Sequence, residues 1–183
     1  MISTMRKLAF CIPLLSFCIL HSAFCIAAEA NSLDGANLNF ERDADGWELP
    51  PAYSVRAGEG LNATKALVYE NDDPKLPYAF PRYYVNLQTG IVYRVSVKIR
   101  TENLDPKDGR GAMLCVFCEK ADGTWARDYY SPGVVGTKDW TEVELITNPA
   151  IKKESVRCGI VAYCTPQATG KACFDDIRVT PYV

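Results

Sequence analysis

The chain has 183 residues, with 20 Lys and Arg against 22 Asp and Glu, a formal net charge of −2 and 48% hydrophobic residues. That balance lacks the positive field with which nucleic-acid binders displace counterions, so nucleic acid is excluded as a partner. The single histidine, His21, lies in an N-terminal leader, which leaves the rest of the chain without a Ser-His-Asp or Cys-His nucleophile or a His-ligated zinc.

Residues 1–30 read as a cleaved signal peptide. Arg6 and Lys7 form a basic start, Leu8 to Leu20 an apolar stretch, and Ala28-Glu29-Ala30 a small-residue cleavage site. The apolar stretch falls short of the ~20 residues of a membrane span and breaks at His21 and Ser22. A secreted mature chain, Asn31 to Val183, is therefore expected, extracellular or periplasmic and forming a single domain.

Beyond the leader the chain is a series of short β-type runs separated by Gly, Pro, Asn and Asp. They cover Lys65–Glu70, Ala79–Leu87, Ile91–Arg100, Gly111–Glu119, a run around Trp125, Trp140–Thr147, Ser155–Cys164 and Lys171–Thr180. Ile91–Arg100 alternates cleanly, with Tyr93, Val95, Val97 and Ile99 against Arg94, Ser96 and Lys98. No segment carries a helical apolar stripe. Strands at this spacing predict an all-β fold, an antiparallel sandwich or barrel.

Five cysteines follow the leader: Cys115, Cys118, Cys158, Cys164 and Cys173. Export permits disulfides, and an odd number leaves at least one thiol free. Cys115 and Cys118 lie on a strand and point to opposite faces, so they form neither a bond nor a thioredoxin-like pair. Cys164 and Cys173 flank a short turn with Pro166 and Gly170, and are the expected bridge.

The order of elements resembles carbohydrate-binding modules of the CenC type. The resemblance runs through Asn39-Phe40-Glu41, Gly46-Trp47, Thr64-Lys65-Ala66-Leu67-Val68, Gly90 to Val97, Asp139-Trp140-Thr141-Glu142-Val143 and Phe174-Asp175-Asp176-Ile177. It implies a galactose-binding-like jelly-roll sandwich with a structural Ca²⁺ site at its edge. The ligands it implies are Glu41 near the start, one of Asp175 and Asp176 on the last strand, and the main-chain carbonyl of Lys65. Strand alternation favours Asp175, because it would share a face with Ile177 and Val179. Calcium suits mixed carboxylate and carbonyl oxygens in irregular geometry.

The same resemblance implies a non-catalytic protein that binds poly- or oligosaccharide through exposed aromatic side chains. The candidates are Trp125, Arg127 and Tyr129 in one cluster and Arg82 and Tyr84 in another, with Trp125 the leading platform because it follows the Gly123 turn. Trp47 and Trp140 match core positions of these modules. Two other readings compete: a structural or adhesive surface sandwich without a sugar site, and a carboxylate-dependent glycan-active enzyme. Asn62-Ala63-Thr64 is a glycosylation sequon.

Overall fold

The computed structural model describes Leu33 and residues 35–183, so the leader and its cleavage site lie outside the described residues. Among the described residues ten strands form: β1 Trp47–Glu48, β2 Tyr53–Ala57, β3 Lys65–Asn71, β4 Arg82–Val85, β5 Tyr93–Asp105, β6 Ala112–Lys120, β7 Trp125–Tyr130, β8 Gly136–Ile146, β9 Ser155–Cys164 and β10 Thr169–Pro181. A first sheet has the order β1-β4-β9-β6-β7 and a second the order β2-β3-β10-β5-β8. Every pairing is antiparallel. The fold is the expected all-β sandwich. Among the described residues no helix is long and apolar enough to cross a membrane.

Alternation builds the core. Val95, Val97 and Ile99 of β5, Leu67 of β3 and Phe174 of β10 point inward from the second sheet, all fully buried. Leu114 and Val116 of β6 and Ile160 and Ala162 of β9 meet them from the first. The rings of Phe40, Trp47 and Tyr83 pack against one another in turn, tilted, with centroids 5.1 and 5.4 Å apart. Trp47 Nε1 donates to the Asn37 carbonyl at 2.8 Å, so the indole is both buried and satisfied.

The disulfide expectation is overturned. Cys118 and Cys158 are direct partners across β6 and β9, with Cα atoms 4.1 Å apart, and form the bridge. Cys115, Cys164 and Cys173 are free and buried. The reason is facing: Phe174 points into the core, so its neighbour Cys173 points out of the second sheet, onto Ala66 and Val68. Cys164 ends β9 in the other sheet, where its N–H donates to Tyr53 Oη at 3.0 Å. Proximity to one turn cannot join side chains on different sheets.

Two further expectations change. Trp140 is not a core residue; it lies on the outer face of the second sheet, over Ala66, Val68 and Cys173, with the Arg100 guanidinium 5.6 Å from its ring. The face assigned to Asp175 also differs. The β5–β10 register slips between Asp175 and Arg178, and Asp176 takes a left-handed φ of 51°. This bulge reverses the alternation, so that Phe174 and, beyond the slip, Ile177 and Val179 are buried in the core while Asp175 pairs opposite the outward Lys98.

Candidate functional site

The outer face of the first sheet carries an aromatic layer. Tyr84, Gly159, Phe117 and Asp128 lie opposite one another across β4, β9, β6 and β7 and so share this face. The Phe117 ring rests on Gly159, the position where a side chain would have blocked it. Tyr84 meets Phe117 edge-on at 6.0 Å, and Trp125 stacks on it at 5.4 Å with an interplanar angle of 16°. Phe117 is thereby buried, whereas Trp125 remains 51% exposed and presents an indole to solvent.

Charged groups are fixed around these rings. Arg157 sits 4.2 Å over the Tyr84 ring while its Nε donates to Glu119 Oε2 at 2.5 Å. Arg82 lies 5.2 Å from the Phe80 ring and pairs with Glu48 at 3.0 Å. Arg110 covers Tyr130 at 5.0 Å. Tyr130 Oη donates to Asp128 Oδ2 at 3.1 Å, whereas Asp128 Oδ1 is buried without a hydrogen-bond partner. Burial raises the pKa of that carboxyl.

Of the sugar-site residues expected from sequence, the structure brings Trp125, Tyr84 and Arg82 onto this face. It does not bring Tyr129 and Arg127 there. Tyr129 is paired with the inward Val116 and Arg127 with the inward Cys118, on the opposite side of β7. Tyr129 is buried and its hydroxyl donates to the Pro149 carbonyl at 2.8 Å. Phe117 and Arg157 went unrecognised, Phe117 because Met113–Cys118 reads as uninterrupted core. The signal that could have found it is Gly159, a glycine in mid-strand, which marks a close approach.

The end signatures form a second locus. Asp175 is 3% exposed because a 3-10 turn, Leu61–Ala63, covers it. Its Oδ2 accepts from the Leu61 N–H at 2.9 Å and Thr64 Oγ1 at 3.2 Å, and its Oδ1 from the Asp176 N–H at 2.7 Å. Burial raises its pKa, and none of the ion pairs among the described residues reaches it; Asp176 is instead paired with Arg178 at 2.9 Å. Glu41 Oε1 accepts from the Lys65 N–H at 3.0 Å, which places it beside the Lys65 main chain. The Lys65 carbonyl, Thr64 Oγ1 and Asp175 Oδ2 converge on Gly60, where a Cβ would enter the space between them. That is a cradle of oxygens which only glycine leaves open. No group of three or more His, Cys, Asp or Glu that could hold a metal occurs among the described residues, so a cation here would draw on carbonyl and hydroxyl oxygens.

No family model and no curated protein matches the chain. Solved structures do match in fold. The CBM22-2 xylan-binding domain of Paenibacillus barcinonensis Xyn10C is 16% identical with a TM-score of 0.58, over 79% of this chain and 98% of that one. TmCBM61 in complex with β-1,4-galactotriose is 20% identical with a TM-score of 0.55, over 84% and 99%. A CBM22-1–GH10 structure of Clostridium thermocellum xylanase 10B with xylohexaose is 19% identical with a TM-score of 0.57, over 78% of this chain. The chain spans 27% of that protein's length and 21% of a bacteriophage tailspike it also matches. These matches show a shared fold, the two-sheet antiparallel β-sandwich that the CBM22 and CBM61 structures also adopt.

Proposed function

We propose that the chain is a secreted, non-catalytic carbohydrate-binding protein that holds a poly- or oligosaccharide on the outer face of its first sheet. The observation that carries this is the Tyr84–Phe117–Trp125 layer, which ends in a half-exposed indole and is rimmed by Arg82, Arg157 and Asp128. Sugar rings present C–H faces that stack on such surfaces, while hydroxyls bond to a few placed polar groups. Glu119 is held by Arg157, which suits a fixed rim better than an acid–base pair. The fold neighbours, among them domains whose names specify xylan binding and a galactotriose complex, support the same reading.

Calcium belongs to this proposal as a structural ion. Asp175, the Lys65 carbonyl and Glu41 would hold it, with Thr64 beside them, and the Gly60 cradle and the unpaired charge of Asp175 fit it. The ion would supply charge neutralisation between the two ends of the domain.

Native affinity electrophoresis through gels containing xylan, β-1,4-galactan, β-glucan or mannan tests the sugar reading. Retardation by at least one polysaccharide, abolished in Trp125→Ala, is expected. Unaltered migration in every gel would leave the adhesive or structural sandwich as the better account.

A further inference from the structure

At one end of the sandwich the β1–β2, β3–β4 and β9–β10 connections enclose a cavity of about 180 Å³. Its construction is legible in the sequence. Pro50 and Pro51, Pro77, and Pro166 come from the three connections. Proline fixes φ and has no N–H, so these loops resist collapsing into the space and present walls without unbonded donors. Tyr53 and Tyr69, with rings 5.0 Å apart, stand at its inner side.

Its size selects a single ring. A cavity of roughly 150 Å³ accommodates one benzene, so this volume admits one six-membered ring and not both rings of a disaccharide. The polar groups at its wall then decide which kind. Tyr53 Oη accepts the Cys164 N–H at 3.0 Å, and Tyr69 Oη donates to the Ala168 carbonyl at 2.5 Å. Asn71 Nδ2 is bonded to Tyr69 Oη at 3.1 Å and to the Ala168 carbonyl at 2.9 Å, and its Oδ1 accepts the Asp73 N–H at 3.1 Å. Thr165 Oγ1 accepts the Gly111 N–H at 3.1 Å. A pyranose would bring several hydroxyls against a wall with few open groups, the hydroxyl hydrogens of Tyr53 and Thr165 and the Gln167 amide, and each group left unmatched costs about 1–3 kcal/mol. An aromatic ring brings none, or one that can remain at the mouth.

We infer that this cavity is a binding site for a single aromatic ring, a phenyl or phenolic group, separate from the outer face of the first sheet. Tyr78 gives the site its relation to that face. It is 49% exposed, lines the cavity, and packs 5.7 Å from Phe80 and 6.5 Å from Tyr163, both on the aromatic side of the first sheet. An aryl substituent on a glycan could therefore enter the cavity from the sheet face. A free phenol would use the same walls.

The test compares 4-nitrophenyl β-xyloside, methyl β-xyloside and phenol by calorimetry and by methyl NMR shifts of Ala52, Leu76 and Ala79, which line the cavity. Phenol and the nitrophenyl glycoside are expected to shift those methyls, with the nitrophenyl glycoside binding about tenfold tighter than the methyl one, the order expected for burying one ring. Ala52→Leu and Ala79→Leu, which fill the space from two walls, should abolish this preference while leaving polysaccharide retardation intact. Trp125→Ala should leave it unchanged. If phenol alone binds and the two glycosides do not differ, the site serves free phenols rather than aryl glycans. Equal binding of the glycosides with no phenol-induced shift at Ala52 or Ala79 overturns the proposal, as does a preference lost in Trp125→Ala. Loss of polysaccharide binding alone would bear on the sheet face and not on the cavity.

Discussion

The Phe117 ring lies on the backbone of Gly159, its direct partner across the β6–β9 ladder, and a Cβ at Gly159 would run into the ring edge. The whole outer layer is keyed to that contact. Tyr84 abuts one side of Phe117 and Trp125 stacks on it, so displacing the ring displaces both neighbours.

Gly159→Ala is therefore expected to act twice. Forcing a methyl under a packed ring should destabilise the fold by about 1–3 kcal/mol, as overpacking does. Retardation in polysaccharide gels should weaken with it, because the indole platform moves. Urea denaturation and affinity electrophoresis on the same variant separate the two effects. Unchanged affinity in a destabilised variant would mean that the platform does not depend on Phe117.

Two aromatic substitutions on the same strand should behave oppositely. Trp125→Ala removes a half-exposed ring, and is expected to lose sugar retardation at a stability cost below ~1 kcal/mol. Tyr129→Phe removes the inward hydroxyl bonded to Pro149, and should cost ~1 kcal/mol of stability with retardation unchanged. Sugar binding lost in Tyr129→Phe and kept in Trp125→Ala would place the ligand on the wrong side of β7.

Strand alternation explains both what the sequence made legible and what it did not. It gave the inward residues Tyr93, Val95, Val97 and Ile99 of β5 correctly, because nothing interrupts that run. It misled wherever a bulge intervened. The slip after Asp175 turned an inference about one face into the other, although the turn at Leu61–Ala63 still buries the carboxylate. In β7, Arg127 and Tyr129 were grouped with Trp125 by nearness in sequence, whereas a register shift beside Glu119 and the period of two put them on the inner side. The Cys118–Cys158 bridge needed the β6–β9 register, a long-range fact that no local turn encodes.

The bridge itself gives a prediction about thiols and stability. It closes a loop of 40 residues, for which chain entropy gives about 4 kcal/mol of stabilisation. Reduction, or Cys118→Ser with Cys158→Ser, should lower stability by that order in urea titrations. Alkylation of the denatured, unreduced protein should label Cys115, Cys164 and Cys173 and leave Cys118 and Cys158 protected, as peptide mass spectrometry would read. A protected Cys164–Cys173 pair would contradict the sheet facing described above.

Asp175 gives the sharpest pH test. Burial raises its pKa in the folded chain, so without metal its contribution to stability is greatest below the ordinary carboxylate range and is lost as pH rises through the raised folded value. A bound calcium ion favours the charged form and reverses the sign: stability is then gained above the carboxylate range and lost on acidification. Carbon-13 NMR of the Asp175 carboxyl should accordingly show titration above the ordinary range in chelator and a downward shift on adding calcium. An ion present at a hundred times its dissociation constant adds about 2.7 kcal/mol, which raises the melting temperature by roughly 5–10 °C for a domain of this size. The calcium assignment fails if chelator leaves the melting temperature and the carboxyl titration unchanged and elemental analysis finds no metal in the purified protein.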